Sequence, residues 1–249
     1  MTDIPADWVE TLRGVDTASI YNILKGLGRA EPGSYSGPEL RTLFPELGSV
    51  AGFAVTSSWT AGEAGGANAD YLAFLEAIES SPRPTLAVLS DIGANPGRSG
   101  IAGDGMVKEF QVAGASAAIV GGSVMDVEGI EKVGLPVYVT GVVPAYDDLR
   151  MAAWGEPVMV GSLRVSTGDL LVGDRAGLVR IPVDAIEGVV RGVPGFKKLE
   201  RSMQELLSRP GLTVAQMRAW YAENEPEFLG GESEGSAATT LKRAVTDVD

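Results

Sequence analysis

The N-terminal part of the chain alternates apolar and polar positions first with the period of a helix and then with that of a strand. The pattern predicts helix over residues 7–28, with Asp16 or Thr17 as a cap and glycines as a stop. An apolar run predicts a strand at residues 49–59, and the helical pattern at residues 70–81 ends where two prolines follow.

Apolar runs then alternate with short helical patterns. The predicted strands cover residues 85–93, 116–122 and 135–141, and the predicted helices cover residues 106–115 and 127–134. Such alternation is typical of βαβ units, whose parallel strands end at one edge of a sheet, where ligands bind. We therefore expect Asp91, Arg98, Asp104 and Asp126 to converge on one candidate site.

The pattern changes in the C-terminal part of the chain. Residues 157–182 show short strands and turns, which predict an antiparallel β segment of a sandwich or swivelling domain. An amphipathic helix is predicted at residues 195–207, and a second helix at 213–224 with Thr213 as its cap. The small, polar residues 230–249 favour a disordered tail or an arm that packs only in an oligomer.

The amino-acid composition excludes several kinds of catalytic and metal-binding site, because the 249 residues include no cysteine and no histidine. Disulfides, thiolate nucleophiles, Ser-His triads and imidazole metal sites are therefore excluded. Any catalysis must use carboxylates, Lys, Arg, Tyr, Ser, backbone amides or a hard metal ion with oxygen ligands.

The net charge of the chain limits the classes of partner that it can bind. The formal net charge is −13, and the basic residues form no cluster of the kind that a nucleic-acid surface requires. The N-terminus lacks the features of a signal peptide, and no window approaches the ~18 apolar residues of a membrane span. We expect a cytoplasmic protein that binds neither nucleic acid nor membranes.

Asp126 follows an apolar strand and a glycine pair and stands at the start of a predicted helix. Aspartate is a common N-cap, so its position alone is compatible with a structural role. The helix dipole also favours an anion there. The functional alternatives are a metal ligand and a catalytic carboxylate.

Two further segments carry candidate ligand groups. The glycine-rich residues 97–106 permit close approach of a ligand, and the amides of Gly105 and Met106 at a helix start can bind an anion. The stretch is neither a Walker loop nor a Rossmann fingerprint, and many such loops are plain turns. Asn68 precedes another helix, either as its N-cap or as a side-chain amide aimed at a polar ligand.

The order of these motifs resembles the RraA-like family. The resemblance covers roughly residues 16–200, and its most specific parts are GGSVMDV around Asp126 and GDLLVGDRAGLVRIP at residues 168–182. The family contains the class II 4-hydroxy-4-methyl-2-oxoglutarate / 4-carboxy-4-hydroxy-2-oxoadipate aldolases and the protein inhibitor of ribonuclease E. The resemblance implies an α/β fold of the swivelling β/β/α (αββα sandwich) type, assembled as a trimer or a hexamer.

The resemblance also implies roles for single residues. In the aldolases, the aspartate that matches Asp126 holds magnesium or manganese, and the acidic residue that matches Asp104 positions the waters of the metal. A glutamate from a neighbouring subunit reaches those waters, and Glu200 is its best match.

The substrate-binding groups follow from the same comparison. The amides that match Gly105 and Met106 bind the carboxylate of the 2-oxo acid, with help from the amide that matches Asn68.

Met125 departs from the family pattern, because the aldolases have arginine immediately before the metal-binding aspartate. A thioether supplies neither charge nor hydrogen-bond donors. Three interpretations follow: Arg98 or Lys108 replaces the arginine, the substrate differs from a simple pyruvate-type aldol and needs an apolar neighbour, or the chain is a non-catalytic binder. Met125 as a core filler is compatible with each of them.

The sequence therefore predicts an RraA-like domain at residues 1–208, followed by a C-terminal helix and flexible tail at 209–249. We expect a magnesium- or manganese-dependent lyase of the aldolase or decarboxylase type that acts on a small carboxylic acid. Asp104, Arg98 and Asp126 are its expected catalytic residues. The alternative is a non-catalytic oligomeric regulator that binds a protein partner, as the ribonuclease E inhibitor does.

Overall fold

The computed structural model describes residues 4–62 and 68–224. Its strands are β1 (Arg41–Thr42), β2 (Val50–Ala61), β3 (Thr85–Asp91), β4 (Gly100–Ala102), β5 (Ala115–Val124), β6 (Val137–Val142), β7 (Leu149–Trp154), β8 (Val158–Val160), β9 (Leu163–Val165), β10 (Leu170–Asp174) and β11 (Gly177–Ile181). Its helices are α1 (Ala6–Arg13), α2 (Thr17–Gly26), α3 (Tyr71–Ser80), α4 (Asp104–Val112), α5 (Val127–Val133), α6 (Ile186–Leu207) and α7 (Val214–Asn224), with short 3-10 helices at Pro45–Leu47 and Val183–Ala185.

The strands β2, β3, β5 and β6 run parallel at the centre of a mixed sheet whose order is β1-β6-β5-β3-β2-β10-β11. Every residue of β3 is buried. Burial on both faces is the usual state of parallel strands, and it explains why their sequences are continuously apolar. The remaining strands β4 and β7 pair with β5 and β2, while β8 and β9 form a separate hairpin.

Two cores cover the two faces of this sheet. Alternate residues of β3 point to opposite sides, so Leu89 packs with Phe74 of α3 and Phe110 of α4, whereas Val88 packs with Val160 of β8. The layers are therefore helices, sheet and β hairpin. This arrangement confirms the expected α/β fold of the β/β/α type.

The described chain divides into two compact units. The first contains residues up to Thr17 and Pro32–Ile181, and the second contains Ala18–Glu31 and the residues from Pro182 onward. In the second unit, Arg29 forms an ion pair with Asp184, and the indole of Trp220 donates a hydrogen bond to the Ser202 hydroxyl at 3.1 Å. The sheet and all the glycine-rich segments described above belong to the first unit.

Most predicted elements are present, and the strand β7 at Leu149–Trp154 was not predicted. Three further differences concern the predicted segments. The helix predicted over residues 7–28 is two helices, because Gly14 ends α1. The loop predicted between β3 and α4 contains β4. Helix α6 begins nine residues before its predicted start at 195, since it continues through Pro194; a proline removes one helical hydrogen bond but does not prevent burial of Val189 and Phe196 on either side.

Other expectations lie beyond what the structure covers. Residues 63–67 and the predicted tail 230–249 are outside the described residues. None of the described helices is long and apolar enough to cross a membrane.

Asp174 at the end of β10 has a structural role that can be tested. Its carboxylate accepts hydrogen bonds from the amide of Thr17 at 2.8 Å, from the hydroxyl of Thr17 at 3.0 Å and from the amide of Ala176 at 2.7 Å. Asp174→Ala leaves these donors unpaired, and we expect it to lower the free energy of unfolding by about 1–3 kcal/mol in urea denaturation.

The matched control is Asp148→Ala, which removes the same charge from an exposed carboxylate that makes no side-chain hydrogen bond with the described residues. Equal stability losses in the two variants would contradict the role of Asp174.

Candidate functional site

Asp126 lies between β5 and α5 with its backbone in the left-handed region, at φ 55° and ψ 43°. Among the described residues it is the only non-glycine residue with a positive φ. This conformation is costly for a residue with a Cβ, although aspartate tolerates it better than most. Such strain is found most often at functional sites, so it favours a functional role for Asp126.

The Asp126 side chain does not cap the helix that follows it. The backbone carbonyl of Asp126 accepts the amides of Gly129 and Ile130, each at 2.9 Å, but the carboxylate makes no capping hydrogen bond. The side chain is exposed and has no hydrogen-bond or ion-pair partner within the described part of the chain. The purely structural N-cap interpretation is therefore wrong, and the carboxylate is available to a ligand.

Asp104 at the start of α4 lies against α5 at the same corner. A Cβ on Gly129 would be 2.7 Å from the Cβ of Asp104, so the glycine is required by this contact. A Cβ on Gly103 would likewise be 3.0 Å from Oδ2 of Asp126. The close contacts at Gly129 and Gly103 bring the exposed carboxylates of Asp104 and Asp126 to neighbouring positions.

The predicted anion-binding amides are next to Asp104. The first helical hydrogen bond of α4 joins the Val107 amide to the Gly103 carbonyl at 3.0 Å, so the amides of Gly105 and Met106 precede it. The Gly105 amide donates to Oδ1 of Asp104 at 2.7 Å. A bound carboxylate must therefore replace the Asp104 oxygen at this amide.

Met125 is half-buried and packs on β4 rather than standing free in the site. A Cβ on Gly100 would be 3.4 Å from its Cγ, and a Cβ on Gly103 would be 3.2 Å from its Cε. Its backbone amide donates to the Ala102 carbonyl at 3.0 Å. Met125 thus fills a groove that the two glycines leave, and it forms an apolar wall beside Asp126.

The two candidate cations differ in their surroundings. Arg98 is exposed at the end of the loop 94–98, which lines a cleft of about 680 Å³, and its guanidinium has no partner among the described residues. Lys108 donates from Nζ to Oε1 of Gln111 at 2.7 Å, so its ammonium is directed along α4 away from the helix start. Of the two cations, Arg98 is the one without a hydrogen-bond or ion-pair partner among the described residues, and its role as a substitute for the arginine stays a prediction.

Asp91 at the end of β3 supports the glycine-rich loop. Its two carboxylate oxygens accept the amides of Gly93 at 3.0 Å and Gly97 at 2.7 Å, and the Ser123 hydroxyl binds the Gly97 carbonyl at 2.7 Å. These hydrogen bonds fix the loop that carries Arg98. These contacts give Asp91 a structural role at the end of β3.

Asn68 is exposed, and it is not the cap of α3. That position is held by Asp70, whose Oδ1 accepts the amides of Leu72 at 3.0 Å and Ala73 at 3.2 Å. Of the two interpretations of Asn68, the N-cap is wrong, and binding of a polar ligand by its side-chain amide stays a prediction.

Glu200 lies on α6 in the second unit, where its carboxylate already has partners. Oε2 pairs with Nζ of Lys197 at 2.9 Å, and Oε1 accepts the hydroxyl of Ser19 at 3.2 Å. The approach of Glu200 to a metal in a neighbouring subunit stays a prediction, and it requires that these oxygens be shared or released.

Two tyrosines that pack in the core are weak acids. Burial raises the pKa of Tyr138, whose hydroxyl donates to the Asp174 carbonyl at 3.1 Å. Burial together with a hydrogen bond to Glu109 raises the pKa of Tyr71. Both hydroxyl groups are protonated at neutral pH, and each donates its proton in a hydrogen bond, which fits a structural role.

The carboxylates of Asp104 and Asp126 are the oxygen donors that a metal ion at this corner would use. No group of three or more Asp, Glu, His or Cys side chains among the described residues is arranged to hold a metal ion. Magnesium keeps several waters and is commonly bound by only one or two carboxylates, whereas zinc sites take three or four protein ligands. The residues present therefore fit a hydrated, hard cation.

Gly129 is a site residue that the sequence reasoning did not single out. Its role depends on contact with Asp104 on another helix, which no periodicity reveals. A glycine in a short helix, three residues after the candidate aspartate, was the available signal, because glycine inside a helix costs about 1 kcal/mol relative to alanine.

Comparison with known proteins gives one family. A family model described as RraA-like, Aldolase/RraA, matches residues 17–180. Among curated proteins, DlpA of Legionella pneumophila is 28% identical over 114 residues, which are 45% of this chain and 18% of DlpA. The match therefore spans less than a fifth of the length of that relative.

Solved structures agree with the fold. A protein from Pseudomonas syringae pv. tomato has a TM-score of 0.68 at 23% identity, covering 88% of this chain and 96% of that one. RraAS2 of Streptomyces coelicolor, an unusual member of the RNase ES inhibitor RraA protein family, has a TM-score of 0.65 at 25% identity, covering 82% and 98%.

A pair of glycine substitutions tests the contact between α4 and α5. Gly105→Ala places a methyl group in open space within a helix, and we expect the free energy of unfolding to rise by up to about 1 kcal/mol. Gly129→Ala must displace Asp104, so we expect a decrease of about 1–3 kcal/mol. Urea denaturation measures both, and a stabilising Gly129→Ala would show that Asp104 does not lie against α5.

Proposed function

Since this chain belongs to the RraA-like family, we propose that it is a divalent-metal-dependent lyase, of the aldolase or decarboxylase type, that acts on a small 2-oxo carboxylic acid. The family includes both aldolases and ribonuclease inhibitors, so membership alone does not choose between catalysis and regulation. The choice rests on the site in this chain.

The observation that carries the proposal is the state of Asp126. Its carboxylate is exposed at the carboxyl edge of a parallel sheet, has no partner among the described residues, and is held by a strained backbone. A regulator that works through its surface has no need for this arrangement. A carboxylate kept free beside Asp104 suits the binding of a cation.

The proposed roles follow from the positions of the groups. Asp126 would hold magnesium or manganese, and Asp104 would accept hydrogen bonds from the waters around it. When bound, the cation supplies a Lewis acid that stabilises negative charge on the oxygens of the oxo acid. The amides of Gly105 and Met106 would bind the substrate carboxylate at the start of α4.

Arg98 and Met125 set the expected substrate. The guanidinium of Arg98 would supply the donor that the aldolases take from the residue before the metal-binding aspartate. Loss of such a donor to a developing enolate costs about 10²- to 10³-fold in rate. The thioether of Met125 offers contact only to an apolar group, which points to a substrate that differs from those of the standard aldolases.

The second candidate function is a non-catalytic oligomeric regulator. The similarity to RraAS2 across most of both chains favours it. It requires no divalent metal, and it predicts that Asp126 is dispensable for partner binding. Under either function we propose a homo-oligomer, a trimer or a hexamer.

Exchange of the methyl protons of pyruvate in deuterated buffer, followed by NMR, tests the enzyme proposal. We expect exchange that depends on magnesium or manganese and that falls at least about 10²-fold in Asp126→Asn, because the amide lacks the charge that holds the cation. The matched control is Glu128→Gln, an equal charge change two residues away on the exposed surface of α5. Absence of exchange in a wild-type protein that binds the metal would refute the lyase proposal for pyruvate-type substrates.

The same exchange assay tests Arg98. Arg98→Gln removes the unpaired guanidinium, and we expect a decrease of about 10²- to 10³-fold at saturating metal. Arg175→Gln removes an equal charge from an exposed turn and should leave the rate unchanged. If both variants retain full activity, Arg98 does not replace the missing arginine.

A further inference from the structure

A second cleft, of about 560 Å³, opens at the carboxyl ends of β3, β5 and β6 beside the β8–β9 hairpin. Its lining includes Glu39, Asp91, Ser90, Thr140 and Met159. Among the described residues, those that line this cleft include none of the residues proposed above for metal or substrate binding. The cleft is therefore a second candidate site, which shares Pro96 and Gly97 with the cleft at Arg98.

Two hydroxyl groups of the cleft, those of Ser90 and Thr140, present only acceptors to a ligand. Ser90 donates its proton to the Met159 carbonyl at 2.6 Å, and Thr140 donates its proton to the Gly122 carbonyl at 3.0 Å. A hydroxyl has one proton and two lone pairs, so each of these oxygens can still accept a hydrogen bond but has no proton left to donate.

Two carboxylates add negative charge to the same lining. Asp91 is 8% exposed and accepts two backbone amides, and Glu39 accepts the amide of Ser162 at 2.6 Å. Neither carboxylate forms an ion pair with any described residue. A carboxylate has about four acceptor positions, so both retain unused ones, and a buried carboxylate without a cation is uncommon.

Glu39 is ionised at neutral pH. Hydrogen bonds from its own backbone amide and from Ser162 lower the pKa of this side chain, against a smaller opposing effect of burial. The charge of the cleft is therefore negative under ordinary conditions.

The backbone is also irregular at the cleft. Val120 of β5 pairs with Val139 of β6 and Ser123 pairs with Gly141, so two glycines of β5 lie opposite the single residue Thr140. Such bulges occur often beside functional sites. Ile92 and Met159, which are 54% and 48% exposed, supply apolar surface at the same place.

We propose that this cleft binds a protonated amine or guanidine, with a short aliphatic stem against Ile92 and Met159. The lining offers hydrogen-bond acceptors and negative charge, which an ammonium or guanidinium group complements. This chemistry has two possible sources: a free small-molecule cation, or a lysine or arginine side chain of a second copy of this chain.

The first test is titration with n-butylammonium at low salt, followed by NMR of the protein, with 1-butanol as a neutral probe of similar length. We expect n-butylammonium to bind more tightly than 1-butanol. Glu39→Gln, which keeps an acceptor for the Ser162 amide, should weaken n-butylammonium binding about tenfold. Glu46→Gln, an equal charge change at an exposed residue outside the cleft, should not.

A second pair of variants tests whether Glu39→Gln acts on probe binding only indirectly. Met159→Lys brings an ammonium group to the cleft and should abolish binding of the probe, whereas the uncharged Met159→Gln should retain it. Equal binding of the two probes, or equal effects of Glu39→Gln and Glu46→Gln, would overturn the proposal.

Dilution distinguishes the two sources of the cation. If a side chain of a second copy fills the cleft, n-butylammonium binds only after dilution separates the copies, and Glu39→Gln lowers the mass measured by sedimentation. If the ligand is a free cation, binding is independent of protein concentration. Failure to bind n-butylammonium both before and after dilution would refute both forms of the proposal.

Discussion

The parallel pairing of β3 with β5 is the constraint on which the rest of the site depends. The two strands pair from Leu86 with Ala117 to Ser90 with Gly121, and both are buried on their two faces. A slip of one residue would exchange the residues that pack on the helices with those that pack on the hairpin, so the register is strongly fixed. All the loops with candidate ligand groups leave the sheet at its carboxyl edge as a consequence.

Close backbone contacts between α4 and α5 bring the candidate ligand groups together at this edge of the sheet. Because Gly103 and Gly129 have no side chains, the starts of α4 and α5 can touch, and the carboxylates of Asp104 and Asp126 come to one corner. Two carboxylates at neighbouring positions repel each other, and the left-handed backbone of Asp126 adds strain. A bound cation would relieve the repulsion, which links the stability of the fold to the proposed function.

The two clefts of the same edge differ in their chemistry. At Asp126 the groups are an exposed carboxylate and the helix-start amides beside Asp104, which together suit a cation and an anionic substrate. At Asp91 and Glu39 the groups include two carboxylates and the acceptor oxygens of Ser90 and Thr140, which suit a cation with donors. Pro96 and Gly97 of the glycine-rich loop line both this cleft and the cleft at Arg98.

The sequence by itself determined the fold class, the order of most strands and helices and the family, because apolar periodicity, turn residues and motif order are local properties of the chain. It also placed Asp104 and Asp126 at helix starts on one edge. Only the tertiary structure decided that Asp126 caps nothing, that Asp70 rather than Asn68 caps α3, and that Met125 lies on β4. The Met125 contacts join segments distant in the chain, which no local pattern records. The two cap outcomes depend on local backbone geometry, which the choice among several cap-forming residues in the sequence does not fix.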